Sequence, residues 1–298
     1  MSNCYNHSMK LIIITFTLLV ALMIIAFLYT WYRFRKSIYI HTTENQELLN
    51  KYPLEHIEVN LTTKDRLQIS SWYIPVPHPK AVVILIPGFT DKNGGKALML
   101  PHAAYLKDAG YSSMLLDLRS TGESSGAKSY LGIKEWQDVE AAYDYLKNQP
   151  ENKDTKIGFF GISMGAATAI ITTGKTGKGD FIIASVPYAS FDGLFAFQLS
   201  KDHLPSVLLP LLKLAAAIEF GLSYNTYNPS RLIKNIHIPV FIIAAKQDKD
   251  VGYAGAADLY QLANKPKYFW APNSQHDVHL EQPEKFQNRV LSFLEMLN

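Results

Sequence analysis

The pentapeptide Gly161-Ile162-Ser163-Met164-Gly165 places a serine where it suits a nucleophile. The apolar run KIGFF precedes it and the helix-forming run AATAIITT follows it, so the pattern predicts a strand, a sharp turn and a helix. A serine hydroxyl must project from the backbone to attack a carbonyl carbon, and the small residues two positions before and after Ser163 leave room for such a turn. The N–H of Met164 then opens the helix and is free to bind an oxyanion. A glycine-rich turn with an incidental serine is the alternative.

Eight short runs rich in β-branched and aromatic residues predict the strands that position this turn. The first two are half-polar, as in a hairpin at the edge of a sheet, and the later ones are continuously apolar, as in buried parallel strands. Apolar residues recur every three or four positions in 136–146 and 286–297, which predicts two helices that cover the sheet. The pattern therefore predicts an α/β fold with a mostly parallel sheet flanked by helices. The predicted strands are 55–61, 67–74, 81–86, 112–116, 156–160, 181–186, 240–244 and 267–270.

Together with two further motifs, the serine turn resembles α/β hydrolases of the serine esterase and lipase type, lysophospholipase-like enzymes included, over residues 54–298. Residues 86–90, Ile-Pro-Gly-Phe-Thr, stand where that family has its His-Gly-x loop, with Pro87 in place of the usual histidine. The resemblance implies that the backbone N–H groups of Phe89 and Met164 form the oxyanion hole. Residues 117–124 are similar to the family's D-x-R-G-x-G-x-S turn, whose Asp117 and Arg119 we expect to pair or cap rather than react.

The family's order of catalytic residues is serine, acid, histidine, and the resemblance implies candidates in that order. Asp248 follows the strand predicted at 240–244, where the family has its acid, and would orient the imidazole and stabilise the imidazolium. Asp250 is the alternative acid. His276 lies in the loop after the last predicted strand and would act as general base and then general acid. His279, in the same loop, is the alternative histidine.

The stretch of about 188–238 is too long for an ordinary loop, so it predicts a lid with structure of its own. Within it, residues 207–222 read VLLPLLKLAAAIEFGL, and prolines at 205 and 210 are expected to start or kink helices. The apolar face of this segment predicts either packing on the domain below or an acyl-binding surface. That face contains Leu208, Leu211, Leu212, Ala215, Ile218 and Phe220.

The uncharged run at 11–32 is long enough, at about 1.5 Å per residue, to cross a bilayer core of roughly 30 Å. It predicts a single-pass membrane anchor over residues 1–36, with a secretory signal peptide or a very apolar buried helix as alternatives. Arg33, Arg35 and Lys36 follow the run, and the positive-inside rule therefore predicts a cytoplasmic body. Residues 37–53 are expected to form a short polar tether.

Charge and cysteine usage exclude other classes of protein. The chain has 29 basic and 26 acidic residues, but four of the basic ones precede residue 37, which leaves 25 against 26 in the body. A near-neutral body lacks the basic stripe that nucleic acids require. Cys4 is the single cysteine, so neither an internal disulfide nor a cysteine-based zinc site is possible.

The expectation from the sequence is a membrane-anchored serine hydrolase that cleaves carboxylic ester or thioester bonds. Its substrate would be a small acyl ester or a lipid-like molecule, and no metal, organic cofactor or nucleic acid is expected. A serine peptidase or amidase of the same fold is one alternative, because the same three residues cleave amides. A membrane-tethered binding protein without turnover is the other.

Overall fold

The computed structural model describes residues 2–43, 45–90 and 95–297. An eight-stranded sheet runs through the body in the order β1-β2-β4-β3-β5-β6-β7-β8. β1 pairs with β2, and β2 with β4, in antiparallel fashion, whereas all pairs from β4 to β8 are parallel. The strands are β1 Ile57–Thr62, β2 Gln68–Ile74, β3 Val82–Ile86, β4 Ser112–Leu116, β5 Ile157–Ile162, β6 Ile182–Ser185, β7 Val240–Ile243 and β8 Lys267–Trp270.

Helices cover both faces of the sheet, and further helices form the N-terminal segment and the lid. They are α1 Ser2–Ile38, α2 Gln46–Lys51, α3 Leu100–Asp108, α4 Trp136–Lys147, α5 Met164–Thr176, α6 Phe191–Lys201, α7 Leu209–Phe220, α8 Pro229–Leu232, α9 Tyr253–Leu262, α10 Val278–Glu281 and α11 Pro283–Glu295. The predicted α/β fold with a mostly parallel sheet is confirmed, including the antiparallel hairpin at one edge.

Burial explains why these segments fold as they do. Every residue of β3, β4, β5, β6 and β7 is buried, as expected for strands covered on both faces. Alternate side chains of the strands contribute to two apolar cores: α4, α5 and α9 cover one, and α3 and α11 cover the other. In α4 the predicted apolar face is buried at Val139 and Leu146, and in α11 at Phe286, Val290 and Phe293.

The N-terminal helix α1 is longer than the predicted membrane span and ends on the body. Among the helices in the described part of the chain, α1 is the one that is long and apolar enough to cross a membrane. Its most apolar stretch has no buried residue. Its last turns differ, because Phe34 and Ile38 are buried against the lid. The segment predicted as a tether also packs on the body: the Ser129 N–H donates to the carbonyl of Ile38, and the buried hydroxyl of Thr42 accepts from the Gly122 N–H.

The predicted lid contains α6, α7 and α8, and Pro210 lies in the first turn of α7. The residues of its predicted apolar face lie in different environments. Leu208 and Leu212 line a cavity, and Ala215 is fully buried, whereas the Ile218 side chain is 55% exposed. Because α7 packs against both α1 and α6, more than one side of it contacts protein, and the remaining side faces outward.

The turn at 117–124 is held by buried charges, and Asp117 and Arg119 form ion pairs, as expected. Asp117 accepts hydrogen bonds from the N–H and the ammonium group of Lys96, both at 2.7 Å. Arg119 donates to Asp138 and, through its outer nitrogens, to Asp65. These contacts stabilise the loop between β4 and α4 and leave neither residue free to react.

Removing the Asp138 carboxylate leaves the buried Arg119 guanidinium without its main partner, since both side chains are at most 1% exposed. We expect Asp138→Ala to lower the free energy of unfolding by about 3–5 kcal/mol. The matched control is Asp144→Ala on the same helix, where a 45% exposed carboxylate pairs with Lys178. That change should cost less than about 1 kcal/mol in urea unfolding of the full chain in mild detergent. Equal losses for the two variants would contradict this account of the loop.

Candidate active site

Ser163 sits on a sharp turn between β5 and α5. Its backbone has φ 54° and ψ −117°, a conformation that a residue with a side chain rarely adopts. Two backbone hydrogen bonds fix it, from the Ser163 N–H to the carbonyl of Ser185 at 2.8 Å and from the Ala167 N–H to the carbonyl of Ser163 at 3.1 Å. The turn therefore leads directly from a buried strand into a helix, with the side chain projecting from the bend.

The two glycines of the pentapeptide are required by close backbone approach. A Cβ at Gly161 would lie 2.2 Å from the carbonyl oxygen of Gly165, and a Cβ at Gly165 would lie 2.2 Å from that of Ile86. Both distances are far below van der Waals contact and involve backbone atoms. The spacing predicted from the sequence thus has a steric cause in the fold.

The residues expected to supply oxyanion donors flank this turn. Met164 is the first residue of α5, so its N–H has no helical acceptor one turn earlier. The loop after β3 approaches from the other side, since a Cβ at Gly88 would lie 3.4 Å from the Cβ of Ser163. Phe89 follows Gly88 and, like Ser163 and Met164, lines the same cavity. Pro87, in place of the family's histidine, does not keep the loop away from the serine.

Asp248 and His276 form a hydrogen-bonded pair, although they come from the loops after two different strands. The Nδ1 of His276 lies 2.8 Å from the Oδ2 of Asp248. The other carboxylate oxygen, Oδ1, accepts the N–H groups of Asp250 and Val251 at 2.8 and 3.0 Å. The carboxylate is thus held at both oxygens, and the side chains of Asp248 and His276 are only 2% and 12% exposed.

Burial and charge act in opposite directions on this pair. Burial by itself would raise the pKa of Asp248, but the hydrogen bond and charge of His276 and the two backbone N–H groups lower it below 3.8. Burial by itself would lower the pKa of His276, but the hydrogen bond and charge of Asp248 raise it above 6.5. Each partner stabilises the charged form of the other, which is what an imidazole needs when it takes a proton from serine.

The two alternative residues have other contacts. The carboxylate of Asp250 pairs with Lys201 of α6 in the lid. The ring of His279 packs against His102 and Phe286, with ring centroids 5.2 and 6.0 Å away. Burial lowers the pKa of His279 and of His102, so both rings stay neutral near pH 7. The structure therefore pairs His276 with Asp248, whereas Asp250 lies nearby but pairs with Lys201, and His279 packs against other rings.

Within the described ranges, one group of side chains has the donor types and spacing of a metal site. Donor atoms of Asp248, Asp250 and His276 lie within 4.8 Å of one another. The hydrogen bonds of this group match a carboxylate and an imidazole that orient each other: Nδ1 of His276 faces Asp248, and Asp250 faces Lys201. We therefore interpret Asp248 and His276 as a proton-transfer pair, with Asp250 held by Lys201.

A cavity of about 650 Å³ lies beside the Asp248–His276 pair. Its volume is in the usual range for small-molecule sites. Ser163 and His276 lie in its wall together with Phe89 and Met164. Lid side chains close another side, among them Leu194, Phe195, Leu199 and Leu212. The lining is mainly apolar, which suits a hydrocarbon chain next to the serine.

Sequence reasoning missed several residues of this cavity. Tyr188 and Leu131 line it, and the Tyr188 hydroxyl donates to the carbonyl of Leu131. Six residues of α1 also line it, although the sequence pattern marked this helix only as a membrane anchor. The signal available in the sequence was the cluster of Tyr29, Trp31 and Tyr32 at the end of the span, but such aromatic residues are equally typical of a membrane interface.

Comparison with known proteins agrees with this architecture. Residues 77–220, which contain Ser163, match the family model described as serine aminopeptidase, S33. The chain is 29% identical over 232 residues to the uncharacterized protein YqkD of Bacillus subtilis, with 76% of this chain and 75% of that protein covered. It is 24% identical to the uncharacterized protein YfhR of Escherichia coli K12, with 80% and 82% covered.

Solved structures share the fold. The esterase Pf2001 of Pyrococcus furiosus superposes with a TM-score of 0.71 at 25% identity, covering 86% of this chain and 97% of that one. The α/β hydrolase GrgF of Penicillium sp. superposes with a TM-score of 0.66 at 18% identity, covering 82% and 99%, and shows the fold alone. The chain is thus a hydrolase of the α/β-hydrolase type, as its motifs predicted.

The Asp248–His276 contact predicts a measurable titration. In the full chain in detergent, NMR of labelled histidine should give His276 a pKa above 6.5, and Asp248→Asn should lower that pKa because the charge that stabilises the imidazolium is lost. Asp250→Asn is the matched control and should lower it less, since the direct hydrogen bond remains. His276→Gln assigns the signal. A His276 pKa that falls more in the Asp250 variant would contradict the observed pairing.

Proposed function

We propose that this protein is a membrane-anchored serine hydrolase that cleaves carboxylic ester or thioester bonds of acyl substrates through Ser163, His276 and Asp248. The observation that carries the proposal is the pairing of the buried Asp248 with His276, which lines the same cavity as Ser163 on its strained turn. A nucleophile, a base and an orienting acid are the three parts that acyl transfer by serine requires.

In the proposed reaction, the Ser163 hydroxyl oxygen attacks the substrate carbonyl carbon while the Nε2 of His276 takes the hydroxyl proton. The carbonyl oxygen becomes an oxyanion that accepts hydrogen bonds from the N–H groups of Phe89 and Met164, each worth roughly 10²–10³ in rate. When the carbon–oxygen or carbon–sulfur bond breaks, the leaving group takes the proton from His276 and an acyl-serine remains. Water, deprotonated by His276, then releases the acid and regenerates Ser163.

The lining of the cavity favours acyl esters over peptides. An aminopeptidase binds the positively charged α-amino group of its substrate, which calls for an unpaired acidic side chain near the serine. Of the two aspartates that line the cavity, Asp250 is already paired with Lys201, and Asp202 is exposed at the rim. The apolar side chains of the lid instead suit an aliphatic chain. The match to the serine aminopeptidase model makes aminoacyl p-nitroanilides the comparison substrates of choice.

Exposure supports α1 as the membrane anchor. The apolar side chains in its first half are highly exposed, for example Leu11 at 63% and Phe16 at 67%, so the protein does not cover them. The alternative of a buried core helix therefore has no support in the fold. The packing of Phe34 and Ile38 on the lid argues for retention of the helix over cleavage as a signal peptide. The prediction of a cytoplasmic body still rests on the three cations that follow the span.

A fluorophosphonate probe tests the nucleophile, because it reacts with a serine only when a neighbouring base activates it. We expect labelling of the wild type at Ser163, none in Ser163→Ala, and a severe loss in His276→Ala. The matched control is Ser185→Ala, a buried serine at the end of the neighbouring β6, which should leave labelling in place. Unchanged labelling of Ser163→Ala, or an unreactive but folded wild type, would disprove the proposed mechanism.

Ester hydrolysis by two asparagine variants tests the acid. Asp248→Asn should lower kcat for p-nitrophenyl butyrate by a factor on the order of 10³–10⁴, because the imidazole loses its orientation and its counter-charge. Asp250→Asn removes an exposed ion pair and should change kcat by less than about fivefold. The reverse ranking would assign the acid role to Asp250. Hydrolysis of aminoacyl p-nitroanilides in preference to esters would instead favour the peptidase alternative.

A further inference from the structure

The C-terminal end of α1 forms a wall of the active-site cavity. The α1 residues that line it are Tyr29, Thr30, Arg33, Phe34, Ser37 and Ile38. They recur at intervals of three and four, so they share one face of the helix. The helix that we propose as the membrane anchor is therefore also part of the binding site around Ser163.

Specific contacts fix this wall in place. The Phe34 ring packs edge-on against Phe195 of α6 and Phe220 of α7, with centroids 5.7 and 5.4 Å away. Glu219 of α7 accepts a hydrogen bond from the Trp31 indole at 3.0 Å and pairs with Arg35 at 3.3 Å. Because α1 and the lid hold each other through apolar and charged contacts, the cavity between them has a defined shape.

The position of this wall along α1 sets its depth relative to a bilayer. The predicted span ends at residue 32, and Ile38 lies six residues further, or about 9 Å along a helix. With α1 as the proposed anchor, Thr30 and Phe34 would lie at the level where lipid headgroups meet the acyl chains. The charged side chains of Arg33, Lys201 and Asp202 are exposed at the rim of the cavity, so its apolar interior begins next to a polar boundary.

We propose that α1 is a wall of the acyl-binding site and that the substrate is an acyl ester of a lipid in the same membrane. Its hydrocarbon chain would lie against Thr30 and Phe34, between α1 and the lid residues Leu208 and Leu212, with the ester at Ser163. The proposal rests on the serine-hydrolase function above. It assigns α1 a role in substrate selection, which a simple anchor lacks.

A bifunctional probe tests where the chain lies. A fluorophosphonate whose decyl chain carries a photoreactive diazirine near its far end is first allowed to react with the full chain in liposomes. After irradiation, mass spectrometry should find the phosphonate on Ser163 and the crosslink on the α1 segment 29–38, alone or together with the lid. Attachment at Ser163 with crosslinks confined to other segments would overturn the proposal for α1 and leave the hydrolase function intact. Failure to attach at Ser163 would overturn both.

A larger side chain in the α1 wall tests how this wall affects selectivity for acyl chain length. Thr30 is buried, and Thr30→Trp should occupy the space of the chain, whereas Leu28→Trp on an exposed part of α1 is the matched control. Because each buried methylene is worth about fourfold, we expect Thr30→Trp to lower the ratio of kcat/KM for p-nitrophenyl decanoate to that for acetate by about tenfold or more. Leu28→Trp should change the ratio by less than about twofold.

Thr30→Val separates volume from hydrogen bonding, since it removes the bond from the Thr30 hydroxyl to the carbonyl of Ala26 at nearly constant size. Its ratio should not fall below that of the wild type, because the side chain keeps its size and becomes more apolar. Fluorophosphonate labelling of each variant at Ser163 verifies that the site has assembled. An unchanged ratio in a labelled Thr30→Trp protein, or an equal fall in Leu28→Trp, would contradict a wall formed by α1.

Discussion

The close contact between the loop after β3 and the turn at Ser163 determines most of the geometry of the site. Gly161 and Gly165 allow backbone atoms to approach where a side chain could not fit, and the turn at Ser163 is held at φ 54° between them. Such a conformation costs on the order of 1–3 kcal/mol, which the packed sheet and α5 must offset. The same contact brings Gly88 to the serine and Phe89 into the cavity wall, so that the proposed nucleophile and the expected oxyanion donors share one support.

A second set of contacts joins the lid to the N-terminal helix. Glu219 lies at the centre of it and pairs with Lys128 of the body at 2.7 Å as well as with Arg35 of α1. Burial by itself would raise the pKa of Glu219, but the hydrogen bonds from Lys128 and Trp31 lower it, so this side chain is charged near pH 7. The body, the lid and α1 thus meet at one carboxylate, and the cavity around Ser163 is bounded by all three.

Much of the fold was predictable because its determinants are local. The last six strands follow from continuous apolar runs and the first two from half-polar runs, and the turn at Ser163 follows from five consecutive residues. The choice between Asp248 and Asp250 was not predictable from the sequence, because it depends on a hydrogen bond across 28 residues and on Lys201 from the lid. The wall formed by α1 was hidden for another reason: the uncharged run at 11–32 has no polar face to mark which side packs, and Trp31 meets Glu219 across 188 residues.

An experimental structure of the full chain after reaction with an alkyl fluorophosphonate would test the central claim most directly. The account predicts phosphorus bonded to the Oγ of Ser163 and a phosphoryl oxygen about 2.7–3.1 Å from the backbone nitrogens of Phe89 and Met164. It also predicts His276 between the adduct and Asp248. A phosphoryl oxygen directed away from both N–H groups, or an adduct on a different residue, would contradict it.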